Sequence, residues 1–368
     1  MIPQITVPTL ILDLKQCRQN IQKMVQKSTE NQVVIRPHFK THQSHEVGRL
    51  FREQGVEQIT VSSLRMAEYF AEDGWKDITV AFPVNILEIE RINKLARLVQ
   101  LNLIVEHPDT VDFLAAQAQA PINIFVEINA GNNRSGKNWN DLPFIERIVE
   151  ALAKSTLLTF KGFLGHAGQS YFARGAEEIL KSHHSSIELM NKIRAHFSSS
   201  YPNLIISLGD TPTCSVAKDF NGIDEIRPGN FVFYDVTQTI IGSCTEAEIA
   251  VALACPVVAL APERNEIIVY GGGVHLSKDR VVRADGKTIF GLLGQWTDDG
   301  WEVITEQETY IRGLSQEHGV IKTSPERVAQ TKIGDIVPIL PVHSCMCADL
   351  MKSIETVDGQ GMGMLQYV

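Results

Sequence analysis

The sequence predicts a (β/α)8 barrel followed by a second, mostly β domain. Three observations carry this. Eight short β-branched runs alternate with amphipathic stretches over the first two-thirds of the chain. Several of those runs, such as Ile78-Thr79-Val80-Ala81-Phe82, are nearly continuous in apolar residues, as strands buried on both faces are. After about residue 240 the long helical periods stop and short strand-like runs separated by turn clusters take over.

In chain order, strands are expected at Val33–Arg36, Gln58–Ser62, Asp77–Phe82, Leu101–Glu106, Ile122–Asn129, Leu158–Gly165, Leu204–Leu208 and Ile223–Arg227. Helices are expected at Asp13–Lys27, with Asp13 as its N-cap, and at Ser44–Gln54, Leu64–Glu72, Ile86–Leu98, Thr110–Ala118, Leu142–Lys154 and Ala176–Phe197. A short helix should follow Thr211, because Pro212 suits a first helical turn. Eight strands with intervening helices fit a barrel of about 250 residues; an open doubly wound sheet is the competing architecture. The barrel is expected over residues 13–240 and the β domain over 241–368, with the strand-like residues 1–12 joining the latter. Within the β domain, strands are expected at Ala247–Ala254, Val257–Leu260, Glu266–Tyr270, Trp301–Thr305, Thr309–Leu314 and Asp335–Leu340.

Composition narrows the function. The 368 residues are 44% apolar and 21% charged, as in ordinary globular chains. With 34 Lys+Arg against 43 Asp+Glu, the net charge of -9 disfavours binding to a nucleic-acid backbone. The longest apolar run, Ile249 to Ala261, is broken by Pro256 and is too short to span a membrane. Six sparse cysteines, with no secretory segment at Met1, read as free thiols in a reducing cytoplasm.

Candidate chemistry sits at the expected strand ends, where barrels build active sites. Lys40 follows the first strand among Arg36, His38 and His42. Neighbouring positive charge favours a neutral amine, which can attack a carbonyl and form a Schiff base. The alternative is a surface lysine on a basic loop. The loops Ser207-Leu208-Gly209-Asp210-Thr211 and Arg227-Pro228-Gly229-Asn230 follow strands seven and eight, where barrels commonly hold phosphate; the alternative is two ordinary turns. Arg134, between Gly131 and Gly136 after strand five, and Tyr171, after strand six, could face the same mouth. Near the C-terminus, His343 and Cys345 are two apart, so an extended segment would point both one way, with Cys347 on the same face. Imidazole and thiolate suit Zn2+; the alternative is thiols packed as small hydrophobes.

Arg-Pro-His-Phe-Lys-Thr-His at 36–42, the Ser207–Pro212 loop, Arg227-Pro228-Gly229 and His343-Ser344-Cys345 together resemble the D-serine dehydratase and D-threonine aldolase family of pyridoxal-phosphate enzymes, which is alanine-racemase-like. The resemblance spans nearly the whole chain. It implies that Lys40 carries pyridoxal 5'-phosphate as a Schiff base and that Arg134 contacts the cofactor's phenolic oxygen. It places Tyr171 near the pyridine nitrogen. Ser207, Gly209, Thr211, Gly229 and Asn230 would form the phosphate site, and His343 and Cys345 would bind a divalent metal, Zn2+ by ligand type. It also implies a homodimer. Dehydratases of this family tend to show His-x-Cys and aldolases His-x-Asp, and this chain has the cysteine. Gln43 stands where many members have a second lysine. The function implied is elimination of water from a D-3-hydroxy amino acid, giving a 2-oxo acid and ammonia. Retro-aldol cleavage, racemisation and a non-catalytic cofactor carrier are the alternatives.

Overall fold

The computed structural model describes residues 5–366. The chain folds into two compact units: residues 22–40 with 51–229, and residues 1–21 with 41–50 and 230–368.

The first unit holds the barrel the sequence predicts. Its strands are Val34–Ile35, Gln58–Val61, Asp77–Pro83, Gln100–Val105, Ile122–Ile128, Leu158–Gly165, Ile205–Leu208 and Glu225–Ile226. Each pairs in parallel with its neighbour, and the first strand pairs with the eighth. A further parallel bridge between His38 and Thr60 joins the first strand's extension to the second, which completes the ring. The first and eighth strands each contribute only two ladder residues, because Pro37 and Pro228 follow closely and lack the N–H that a ladder needs. Ile104, Phe125 and Leu164 pack together in the unit's core. Outside the ring, fully buried Phe39 meets the rings of Phe51, Phe70 and Trp75 at centroid distances of 5.1, 4.9 and 5.1 Å. That aromatic anchor fixes the backbone one residue before Lys40.

The second unit is built on a ten-stranded sheet. Its longest strand, Val251–Ala261, pairs antiparallel with Thr9–Leu12, with Ile336–Pro341 and with Glu266–Tyr270. The two strands expected here, at Ala247–Ala254 and Val257–Leu260, are one, running through Pro256, and it starts later: Glu246–Glu248 form a single 3-10 turn, closed by the Glu248 carboxylate accepting from Thr245 N. Pro256 is tolerated because the strand changes partners there. Its N-terminal part meets Thr9–Leu12, whereas the part from Val257 onward meets Glu266–Tyr270 across a register shift. Gly300–Val303 and Tyr310–Leu314, close to where the sequence expects strands, and Gly291–Thr297, His318–Lys322, Ser353–Thr356 and Gly361–Gly363, which the sequence pattern does not announce, complete the sheet. Among the described residues no helix is long and apolar enough to cross a membrane.

Candidate active site

In the barrel unit, the mouth is electropositive. Lys40 is exposed just beyond the first strand. Burial pushes the His38 imidazole well below its ordinary range, and the charges of Lys40, Arg227 and Arg134 push the same way. Burial likewise brings His166, at the end of the sixth strand, down to about 3, aided by Lys40 and Arg134. Both rings are therefore neutral near pH 7. His166 Nδ1 lies 3.2 Å from the Gly209 carbonyl and donates to it, and the ring stands 6.4 Å from that of Tyr171. Tyr171 is half-buried in the 3-10 turn Gly168–Phe172. Arg134 is exposed on a loop whose Gly131 and Gly136 have φ of +112° and +87°. An added Cβ at Gly136 would lie 2.7 Å from the Asn129 amide, so the loop's return against the strand requires glycine.

The two candidate phosphate loops meet. Gly229 N donates to Thr211 Oγ1 at 3.3 Å. Gly209 has φ +151° and comes so near the eighth strand that a Cβ would lie 2.8 Å from Arg227 N. Asp210 caps the helix Thr211–Val216, accepting from Thr213 N at 2.9 Å and from Ser170 Oγ at 2.6 Å. Its burial lifts the carboxyl to about 6 against those hydrogen bonds.

Two of the expected phosphate residues have hydrogen-bond partners within the protein. The Ser207 hydroxyl is fully buried, donating to Glu225 Oε1 and accepting from Arg227, so it belongs to the barrel interior. Asn230 falls in the other unit. Its Nδ2 donates to Asp235 Oδ2 at 2.7 Å and to Ser344 Oγ at 3.0 Å, which leaves only its backbone for a phosphate role. The charge of Arg36 is likewise committed, to Asp77 and Glu225; the cations that bear on His38 are Lys40, Arg227 and Arg134. His166 and Glu127 also lie near the mouth, and the sequence reading did not give them a role; Arg227, quoted there only as part of a loop, bonds inward to Ser207 and the Gly165 carbonyl. Glu127 is buried, with its carboxyl pushed up by burial and Oε2 unpartnered. The clue for all three was position, one residue past or near the end of a barrel strand.

In the β unit, the segment carrying the candidate metal pair is not extended. Ser344–Met351 is a helix, and His343 is its N-cap at φ -136°. Period-two alternation therefore ends at His343. Cys345 sits in the helix's first turn, where negative charge is favoured, two residues from His343. Cys347 is rotated into the core, fully buried, with burial pushing its thiol up to about 12, so it leaves the shared face. Burial alone would lower the His343 pKa; hydrogen bonding to Cys345 and the charges of Cys345 and Asp235 outweigh it and push the imidazole up to about 10. Cys345 Sγ also lies 3.3 Å from Thr41 Oγ1 and 3.5 Å from Asn230 Nδ2. Gln43, at φ +45°, is buried and donates to Asp349 Oδ1 at 2.8 Å.

The residues fit both groups that the motifs imply. The barrel mouth gathers Lys40 and Arg134 with neutral imidazoles, which suits a phosphorylated aldehyde. In the β unit, an imidazole and a thiol adjoin a buried acceptor, Asn230 Oδ1, that has no hydrogen-bond partner. An imidazole and a thiol are a donor pair that suits a divalent cation such as Zn2+. Among the described residues no group of three or more His, Cys, Asp or Glu could hold a metal ion.

Comparisons with known proteins agree. Residues 12–236 match the family described as alanine racemase, N-terminal domain, and residues 250–357 match the serine dehydratase domain. The chain is 29% identical to D-threo-3-hydroxyaspartate dehydratase of Delftia sp. strain HT23 over 92% of its own length and 90% of that enzyme's. It is 27% identical to D-serine dehydratase of Dictyostelium discoideum, over 95% and 92% of the two chains. A 3-hydroxy-D-aspartate aldolase of Paracoccus denitrificans is 26% identical, over 92% and 85%. The solved Delftia structure covers 99% of both chains with a TM-score of 0.91 at 26% identity. A cysteine-to-alanine mutant of that enzyme, solved in a metal-free form, gives the same TM-score of 0.91. The chain belongs to the alanine-racemase-like family of pyridoxal-phosphate enzymes, in the group that contains the D-serine dehydratases and D-threonine aldolases.

Proposed function

We propose that this chain is a pyridoxal-phosphate- and divalent-metal-dependent lyase that eliminates water from a D-3-hydroxy amino acid, giving a 2-oxo acid and ammonia. The observation that carries the reading is the His343–Cys345 pair, an imidazole beside a thiol that also contacts Thr41 and Asn230, within the segment that matches the serine dehydratase domain.

Bound in the barrel mouth, the cofactor supplies an electron sink for the charge left at Cα, and the metal supplies Lewis acidity toward the departing hydroxyl. The chain's own residues do the rest. Lys40 Nζ would hold the cofactor's aldehyde and take the proton from Cα. Arg134 would face the phenolic oxygen, Tyr171 the pyridine nitrogen, and the backbone of Gly209, Thr211, Gly229 and Asn230 the phosphate. Neutral His38 and His166 can orient a ligand by hydrogen bonds without adding charge. His343 and Cys345 would hold the metal, Zn2+ by donor type. Loss of the Cα proton and the Cβ hydroxide leaves an unsaturated amine, which water converts to the oxo acid and ammonia.

The similarity to a 3-hydroxy-D-aspartate aldolase supports a second reading, Cα–Cβ cleavage to glycine and an aldehyde. Cys345 favours dehydration. The family's homodimer and a cytoplasmic setting, consistent with six free cysteines, belong to the same proposal. Incubating the cofactor- and zinc-loaded protein with D-serine, D-threonine and D-threo-3-hydroxyaspartate tests it. Oxo acid and ammonia are expected. Glycine would establish the aldolase, and unchanged substrates would remove both readings.

A further inference from the structure

The strand Glu266–Tyr270 runs into Gly271 and Gly272, then a one-turn helix, Gly273–Leu276, and then Ser277. Ser277 has φ 70° and ψ 177°, a region in which essentially only glycine is at ease. The residue is 6% exposed, and its Oγ accepts from Asp279 N at 3.0 Å. The turn so closed carries the Asp279 carboxylate to His343, Oδ2 to Nδ1 at 2.8 Å, across 64 residues of sequence.

The side chains of His343 and Asp279 are 42% and 47% exposed, so their pairing adds little to folding stability. A strained backbone that delivers a contact of small stabilising value points to a role in placing a group. The contact also decides which nitrogen is which. With Nδ1–H donating to the carboxylate, Nε2 is the nitrogen left to bind a cation with Cys345, giving up its proton as it does so.

We propose that Asp279 is a positioning residue for metal binding: it fixes the His343 tautomer and ring orientation, and the strained Ser277 turn delivers it. The inference rests on the reading that His343 and Cys345 hold a divalent cation. Carboxylate partners of this kind change metal affinity by about ten- to hundredfold when removed.

The test is zinc affinity, measured by competition with a chromophoric chelator on cofactor-loaded protein. Wild type would be compared with Asp279→Ala, Asp279→Asn and His343→Ala. Asp279→Ala should bind zinc about ten- to hundredfold more weakly. Asp279→Asn keeps an acceptor for Nδ1–H and should recover most of that loss. The Tm of all the metal-free Asp279 variants should match wild type. Asp279→Ala binding zinc as tightly as wild type would overturn the proposal, as would equal losses in the Ala and Asn variants together with a lowered metal-free Tm. If His343→Ala itself retains wild-type affinity, the metal reading fails first, and the two failures are thereby distinguished.

Discussion

Arg36 and Glu225 meet inside the barrel, Nε to Oε2 at 2.6 Å, and tie the first strand to the eighth. The same guanidinium reaches Asp77 Oδ1 on the third strand at 2.6 Å. Glu225 in turn accepts from Ser207, Ser207 from Arg227, and Arg227 donates to the Gly165 carbonyl. Burial lowers the Arg227 pKa to about 10 in spite of Glu225. A chain of buried charge thus ties the first, third, sixth, seventh and eighth strands together inside the barrel. Glu225→Ala should destabilise the fold by about 3–5 kcal/mol, because it leaves buried cations uncompensated. Urea unfolding reads this as a lowered midpoint with the slope unchanged. A midpoint equal to wild type would show that solvent or a neighbour replaces the carboxylate.

Lys40 follows from that frame. Lys40→Ala should abolish the visible absorbance of bound cofactor and all turnover, with the melting temperature of the cofactor-free protein unchanged, because the side chain is exposed. A borohydride-reducible adduct persisting in the variant would assign the Schiff base to another lysine.

Metal removal should separate chemistry from folding. Chelation is expected to stop oxo-acid formation while the cofactor's absorbance and the circular dichroism stay as they were, and zinc should restore activity. His343→Ala and Cys345→Ala should each lose zinc and keep the cofactor. Full dehydratase activity in metal-free protein would return the pair to core packing.

The acid limb of stability should carry a mark of His42. Its side chain is fully buried, and burial pushes the imidazole down to about 3. Between an unfolded value of about 6.5 and that folded value, only the unfolded chain takes up the proton, so stability falls as pH falls. At about pH 5 the deficit from this one group is about 2 kcal/mol. His42→Gln should therefore show a smaller fall in Tm between about pH 7 and pH 5 than wild type. A fall as large or larger would mean that His42 is charged in the folded state.

The barrel is legible because its strands are continuous β-branched runs, and none of the competing helical periods crosses them. The β unit is less so. Gly361–Gly363 and His318–Lys322 are short and contain glycine, and their pairing comes from distant partners rather than local pattern. The His343–Cys345 pair was legible as a spacing and misread as a conformation. His343 and Cys345 are close because a helix begins between them, and Ser344-Cys345-Met346-Cys347 carries no helical period to announce it. Ser207 has the composition of a phosphate loop, yet its hydroxyl turns inward because Glu225 and Arg227 are there to receive it. Asp279 has no sequence signature at all, since its relation to His343 is made by a turn 64 residues upstream.

The backbone passes between its two units four times, after residues 21, 40, 50 and 229, whereas the two family matches part between 236 and 250. Inheritance sees a different boundary from folding. A crossover near residue 240 between two related genes would draw residues 41–50 from one parent and the helix Ser344–Met351 from the other. Gln43 and Asp349, joined by a 2.8 Å hydrogen bond, would then descend from different ancestors. Such a chimera keeps that bond only where its two parents supply a donor at position 43 and an acceptor at position 349.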